Sequence, residues 1–103
     1  MDRIQKLQDF LIDCPKDNFL RHALALEYIK IGDDLSAEKL FVEILNETPD
    51  YIGSYYHISK LLERIGKIEE AIFYYEKGME VAKKLKDNHS FNELQAAYED
   101  LID

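Results

Sequence analysis

Residues of similar type recur along this chain at a spacing of 34 positions. The repeated pairs include Pro15 and Pro49, Leu24 and Ile58, Ile31 and Ile65, Gly32 and Gly66, Ala37 and Ala71, and Phe41 and Tyr75. A fixed period of this length is typical of stacked supersecondary units, each with an apolar face too large to bury alone. Because stacked units share one extended surface, the period favours binding over catalysis.

Each period divides into two helices at a glycine. Gly32 and Gly66 follow the last apolar residue of a first helix and suit the left-handed turn that ends it. Asp33 can then cap the next helix. Small residues that let paired helices approach closely are Ala25, Ala37, Ser59 and Ala71, and large residues that fill the core are Tyr28, Phe41, Leu62 and Tyr75. The pattern therefore predicts antiparallel helix pairs and no strand.

Residues 18–51 match a known repeat pattern. Leu24, Ala25, Tyr28, Ala37, Phe41 and Pro49 stand at its defining positions. The chain thus resembles the tetratricopeptide repeat family, with three departures: Arg21 replaces a large, usually aromatic residue, Gly78 replaces a small Ala, and Lys83 replaces the closing Pro of the second unit. We expect the alkyl stem of Arg21 to pack where a ring would. The resemblance implies an all-α, right-handed solenoid of antiparallel helix pairs.

The whole chain is expected to form a single domain with about six helices. Its predicted parts are a half-repeat helix at 2–15, a first repeat at 18–51, a second repeat at 52–85 and a capping helix at 88–103. Because no proline closes the second repeat, its last helix is expected to run from Lys67 towards Lys86. Asp87 and Asn88 then break it, and the capping helix starts near Ser90.

Composition and charge narrow the classes of partner. The chain has 103 residues, 47% of them hydrophobic, which suits one modest core. A net charge of -8 would repel a phosphate backbone, so we expect no nucleic-acid partner. No basic and apolar leader and no apolar run near ~20 residues is present, so we expect no membrane partner and a cytoplasmic location. Cys14, the single cysteine, is interpreted as a small, half-buried filler.

The resemblance also implies where a ligand would bind. In tetratricopeptide domains a concave groove is lined by the first helix of each pair. The matching candidates here are Phe19, His22 and Leu26, then Tyr56, His57, Lys60 and Glu63, with Leu94 and Tyr98 from the final helix. An alternative stays open for the apolar members, since Phe19, Leu26 and the nearby Ile29 would also suit packing against neighbouring helices.

The function indicated is a protein-interaction adaptor whose groove takes an unidentified peptide or protein segment. Domains of this family that hold the acidic tails of chaperones use a clamp of Lys, Asn and Arg residues. This chain has His22, Leu26 and His57 at the first three clamp positions, so chaperone tails are not expected. The alternative function is self-assembly with a second copy through Ile72, Tyr74 or apolar residues near the C-terminus. The expected oligomeric state is a monomer or a weak homodimer.

A catalytic or metal role is not expected. His22 and His57 could face each other across first helices and bind zinc together with a carboxylate such as Glu63. Neither histidine belongs to a local ligand motif, however, and no phosphate-binding glycine loop or nucleophile elbow is present. We therefore predict a non-enzymatic chain without cofactor or metal.

Overall fold

All regular structure between residues 2 and 103, the part of the chain that the computed structural model describes, is helical. The six helices of that part are α1 (Arg3–Asp13), α2 (Asn18–Lys30), α3 (Asp34–Glu47), α4 (Gly53–Arg64), α5 (Ile68–Leu85) and α6 (Asn88–Ile102). This confirms the predicted all-α class. Helix α6 begins two residues before the expected Ser90, because the Asp87 carboxylate accepts a hydrogen bond from the Ser90 N–H and so caps the helix that follows it.

The helices group into two compact units. The first unit ends at Thr48 and holds α1, α2 and α3. The second unit is Pro49–Asp103 and holds α4, α5 and α6. Each unit has its own buried core.

Two glycine turns and one side-chain cap mark the boundaries within the helix pairs. Gly32 and Gly66 have φ of 82° and 87°, the left-handed conformation predicted for the ends of the first helices. Asp33 caps α3 as predicted, accepting from the Ser36 N–H at 3.2 Å and from the Ser36 hydroxyl at 2.8 Å. Lys67, which stands at the same place before α5, makes no side-chain cap. Helix α3 therefore has a side-chain cap at its first turn, whereas α5 has none.

Close helix packing in the first unit depends on its small residues. Ala25 on α2 and Ala37 on α3 are both 0% exposed, as is Phe41, which confirms their predicted core positions. Tyr28, also predicted to lie in the core, is only partly buried. Its hydroxyl accepts a hydrogen bond from the Gln8 amide of α1 at 3.0 Å, so it marks the edge of this core.

Arg21 is buried at the start of α2, only 4% exposed. Its guanidinium donates to the Lys16 carbonyl at 3.2 Å and to Asn18 Oδ1 at 2.7 Å, and it lies 3.3 Å from Glu47. The side chain thus packs where the repeat pattern has an aromatic ring, and its charge ties the start of α2 to the end of α3. Losing Glu47 would leave a buried charge with fewer partners, which is costly.

Gly78 lies where helix α5 packs closely against both α4 and α6. A Cβ built on Gly78 would lie 2.7 Å from Tyr55 Cβ on α4 and 3.0 Å from Leu94 Cδ1 on α6. Tyr55 and Leu94 are both 1% exposed. The absence of a side chain at Gly78 therefore lets α5 approach α4 and α6 at the same level.

Cys14 differs from its interpretation as a half-buried filler. It is a free, exposed cysteine that follows the last residue of α1. Its backbone N–H still bonds to the Phe10 carbonyl. The helix end lies at the surface, so the thiol has no core to fill.

We predict that Gly78→Ala destabilises the protein, although alanine is the better helix former. The new methyl group would overpack Tyr55 and Leu94, at a cost of ~1 to 3 kcal/mol in the free energy of unfolding by urea. Gly53→Ala is the matched control, because no atom lies within 4 Å of its added Cβ. That variant should gain ~0.4 to 1 kcal/mol. Equal effects of the two variants would contradict the close contact at Gly78.

We also predict that Asp33→Ala lowers the free energy of unfolding by ~1 kcal/mol, because the first turn of α3 loses its cap. Lys67→Ala changes the corresponding position before α5, where the side chain makes no cap. Chemical denaturation should therefore show a smaller loss for Lys67→Ala. A larger loss for the lysine variant would refute the capping role of Asp33.

Candidate functional site

Helix α4 of the second unit has one packed face and one open face. The packed face includes Tyr55, Ile58, Ser59 and Leu62, all at most 1% exposed. The open face carries the four predicted groove residues of this helix, namely Tyr56, His57, Lys60 and Glu63, which are partly or largely exposed. The helical period separates the two sets, since neighbours in sequence point about 100° apart. These four residues therefore lie on the side of α4 opposite to its packed face.

Tyr56 and His57 form an aromatic pair at one end of this face. Their rings meet edge to face with centroids 5.7 Å apart. Burial lowers the pKa of His57 below its usual 6.5, and the nearby Glu93 carboxylate on α6 opposes that shift only in part. At neutral pH the pair is thus an uncharged, half-buried surface with polar edges.

Glu63 lies one turn beyond Lys60, and its carboxylate is held from two sides. The Lys60 ammonium lies 3.5 Å from the Glu63 carboxylate. The hydroxyl of Tyr75, a fully buried residue of α5, donates a hydrogen bond to the same carboxylate oxygen. Burial, and after it this hydrogen bond, raises the pKa of Tyr75, so the hydroxyl stays protonated and remains a donor. The core of the unit thereby orients a surface carboxylate.

Helix α6 adds a second tyrosine to this region. The Tyr98 ring meets the Tyr75 ring edge to face with centroids 6.3 Å apart. The Tyr98 hydroxyl donates to Glu76 on α5 at 2.9 Å, and this hydrogen bond raises the pKa of Tyr98. Asp100 also acts here, because its charge contributes to the raised pKa of Tyr75. The two tyrosine hydroxyls therefore each hold one carboxylate, Glu63 on α4 and Glu76 on α5.

Leu94 has to be removed from the candidate surface. It is 1% exposed and lies against Gly78, where it helps to close the core of the second unit. Its neighbour by one helical turn, Tyr98, is partly exposed. The apolar spacing of α6 predicted one face correctly, but it did not separate the part of that face under α5 from the part that stays open.

The first unit presents its three candidates differently. Phe19 is 70% exposed, so its side chain does not pack into the core as the alternative interpretation held. The His22 ring lies edge to face against the buried Phe41 ring, with centroids 5.6 Å apart. Leu26 and Ile29 are partly buried. Of these four, Phe19 is the side chain with most of its surface open.

The two histidines considered as zinc ligands lie in different units. His22 belongs to the first unit and His57 to the second. Among residues 2–103, no three His, Cys, Asp or Glu side chains are grouped closely enough to hold a metal ion. Within the same residues no helix is both long and apolar enough to cross a membrane.

Sequence reasoning missed Glu76, Glu93 and Asp100. A signal for Glu93 and Asp100 was present in the sequence, because α6 contains Glu93, Glu99 and Asp100 but no lysine or arginine.

Sequence reasoning also missed a cavity of about 270 Å³ in the first unit, lined by Leu24, Tyr28, Ser36, Lys39, Leu40 and Glu43. This cavity contains none of the predicted groove residues.

We predict that acid destabilises the protein partly through His57. Its pKa is lower in the folded state than the 6.5 of the unfolded chain, so the unfolded state takes up the proton first as the pH falls. The stability present above pH 6.5 is then lost towards the lower folded pKa. Urea unfolding at pH 7.5 and pH 5 should show a smaller loss for His57→Gln than for the wild type. An equal loss would contradict the burial of this imidazole, and His89→Gln, an exposed position on α6, is the control.

Comparison with known proteins places these helix pairs in a family. The sequence profile of the tetratricopeptide repeat matches residues 52–85. A crystal structure of a tetratricopeptide repeat domain protein from Salinibacter ruber is 40% identical, with a TM-score of 0.79 over 82% of this chain and 94% of that one. A solution structure of such a protein from the same organism is also 40% identical, with a TM-score of 0.81 over 84% of this chain and 88% of that one.

More distant similarities agree in fold. A solution structure of a protein from Bordetella parapertussis shares 22% identity and a TM-score of 0.85 over 99% of this chain and 89% of that one, which shows the fold alone. The aspartyl/asparaginyl beta-hydroxylases of Mus musculus and Homo sapiens are 34% and 32% identical over 77 residues, or 75% of this chain. The chain spans only 10% of the length of these curated relatives. With its helix pairs, its repeat residues and its 40% identity to a solved domain of the same kind, the chain belongs to the tetratricopeptide repeat family.

Proposed function

We propose that this chain binds a peptide or protein segment along the first helix of each repeat and carries out no catalysis. The observation that supports this most is the two-faced helix α4. Tyr56, His57, Lys60 and Glu63 lie on the side of α4 opposite to its packed face, which makes them the candidates for contact with a bound segment. Membership of the tetratricopeptide repeat family supports a protein-interaction role in general.

In this proposal residues 1–103 form a single domain, and the first helices of the repeats at 18–51 and 52–85 supply the residues that bind the segment. The first repeat contributes Phe19, His22 and Leu26, and the second contributes the open face of α4 together with Tyr98. Helices are preorganised before the ligand arrives, so binding would lose little conformational entropy on the receptor side. Aromatic side chains that are partly exposed commonly anchor such contacts.

The proposal also covers what the chain does not bind. Chaperone tails are not proposed as ligands, because a carboxylate needs cations and the first three clamp positions hold His22, Leu26 and His57. Nucleic acid is not proposed either, because of the net charge of -8. We keep the cytoplasm as the proposed location. The hydroxylase activity of the curated relatives is not transferred, because this chain matches only a tenth of their length.

We predict that the double variant Tyr56→Ala, His57→Ala loses peptide binding while its thermal melt stays nearly unchanged. The test is selection of ligands from a displayed pool of random peptides, followed by affinity measurement for the enriched sequences. Phe73→Ala is the matched control, because Phe73 is an aromatic residue on α5 that is 58% exposed and outside the open face of α4. Enriched peptides should bind the Phe73 variant like the wild type.

Two results would contradict the proposal. One is a pool from which the wild type enriches no peptide. The other is a large fall in melting temperature for the double variant, which would show that these side chains belong to the core.

A second candidate function is self-assembly, and a specific observation favours it. Within residues 2–103, large apolar side chains that remain exposed are Phe10, Ile12, Phe19, Ile31, Leu35, Ile68, Phe73, Leu85 and Ile102. Such side chains can pair two copies of a chain if they lie close together. Ile72 and Tyr74, which the sequence favoured for this role, are partly buried and less open than Phe73. Sedimentation velocity over a dilution series tests for self-assembly, since a dimer that resists dilution would favour this function.

A further inference from the structure

A cavity of about 270 Å³ lies in the first unit between α2 and α3. We refer to it as the α2–α3 cavity, and its lining residues are Leu24 and Tyr28 from α2 and Ser36, Lys39, Leu40 and Glu43 from α3. Successive residues of a helix point about 100° apart, so Leu24 points roughly away from His22 and Leu26. The cavity is therefore a separate site from the predicted groove.

The inner wall of the cavity is apolar and belongs to the core of the unit. Leu24 is 4% exposed and packs in one cluster with Leu7 of α1, and Leu40 is a partly buried member of the same cluster. A wall of packed core residues is formed before a ligand arrives, so binding loses little conformational entropy. The volume is just below the ~300 Å³ at which small-molecule sites begin, so the cavity has room for one side chain of a larger partner.

Two charged side chains of α3 line the cavity without partners. Lys39 and Glu43 are four residues apart and share one face of the helix. Among residues 2–103, neither side chain makes an ion pair or a hydrogen bond. By contrast, the Lys60 ammonium lies 3.5 Å from the Glu63 carboxylate at a similar spacing on α4. An ammonium and a carboxylate that remain available at one cavity can bind the carbonyl and N–H groups of a peptide backbone.

Tyr28 provides a third polar group. Its hydroxyl accepts a hydrogen bond from the Gln8 amide at 3.0 Å, which leaves the hydroxyl proton available for donation. The Ser36 hydroxyl, in contrast, already donates to Asp33 within the cap of α3. Two donors and one acceptor therefore lie beside an apolar wall. Such a combination is typical of sites that fix the orientation of a bound group.

The second repeat shows which kind of side chain suits these positions. One period later, Phe73 and Tyr74 replace Lys39 and Leu40. The Phe73 and Tyr74 rings meet edge to face with centroids 5.1 Å apart, and the Tyr74 ring lies 6.5 Å from the ring of the buried Tyr55. The first repeat has no aromatic residue at the three equivalent positions. Its helix pair thus lacks ring surface that the second pair has, and this difference favours an aromatic ligand.

We propose that the α2–α3 cavity binds one aromatic side chain of a partner protein, as a second site separate from the groove. The ring lies against Leu24 and Leu40, and its burial supplies most of the affinity. The Lys39 ammonium and the Tyr28 hydroxyl donate to carbonyl groups of the bound segment, and the Glu43 carboxylate accepts a backbone N–H. This site does not depend on the proposed function, because it contains none of the side chains assigned to the groove.

The first test uses N-acetylphenylalanine amide, which represents one aromatic residue of a peptide, as the probe. A titration followed by heteronuclear NMR should show saturable shifts of the backbone amides around Lys39 and Glu43, with a Kd in the millimolar range. N-acetylalanine amide should cause no such shifts. Absence of saturable shifts with the phenylalanine probe would overturn the inference. Tighter binding of free phenylalanine would also overturn it, because the cavity would then be a site for a small molecule.

The second test fills the cavity from inside. Leu40→Tyr introduces the residue that the second repeat carries at this position, so it should abolish probe binding while the thermal melt stays unchanged or rises. Probe binding that survives this substitution would overturn the inference.

Glu43→Ala should weaken probe binding about tenfold, the loss typical of one hydrogen bond to a charged group. Glu80→Ala is the matched control, because Glu80 is an exposed carboxylate of α5 outside the cavity, and this variant should bind like the wild type. If Leu40→Tyr does not fold, the Glu43 variant decides, and an unchanged affinity would overturn the inference.

The double variant Tyr56→Ala, His57→Ala separates this inference from the proposed function. It should bind the phenylalanine probe like the wild type, because both substitutions lie in the second unit. If it loses the probe together with the enriched peptides, the probe occupies the groove, so the proposed function holds and this inference fails. If the probe shifts the cavity amides but the double variant binds enriched peptides like the wild type, the proposed function fails and this inference stands.

Discussion

Close approach of helix backbones at small residues is the constraint on which this structure depends. In the first unit Ala25 and Ala37 are completely buried, and in the second Ser59, Ala71 and Gly78 play the same part. Gly78 is the extreme case, because even a methyl group would collide with Tyr55. Side chains this small leave the large apolar residues room to interdigitate between the helices, and that packing supplies most of the burial.

Packing on one face of a helix leaves the other face open, and Tyr75 connects the two. Its ring is buried between helices, and its hydroxyl donates a hydrogen bond to the partly exposed Glu63 carboxylate. A surface carboxylate held by a buried residue has fewer conformations to lose when a ligand arrives. The core of the second unit thereby holds part of its own surface in place.

Much of this fold could be predicted from the sequence, and the candidate site only in part. The turns at Gly32 and Gly66 and the cap at Asp33 were predictable because each depends on a few neighbouring residues. The burial of Leu94 and the exposure of Cys14 were not predicted correctly. Helical spacing shows which residues share a face, but how much of that face another helix covers depends on contacts that are distant in the chain.

The sequence by itself determined the helix pairs and the family, because the repeat period and the local turn residues can be read along the chain. Only the tertiary structure decided that the Tyr75 hydroxyl donates to Glu63 and the Tyr98 hydroxyl donates to Glu76. These residues lie on three different helices, and no spacing pattern links them. Their meeting depends on how closely α5 approaches α4 and α6, which the missing side chain at Gly78 permits.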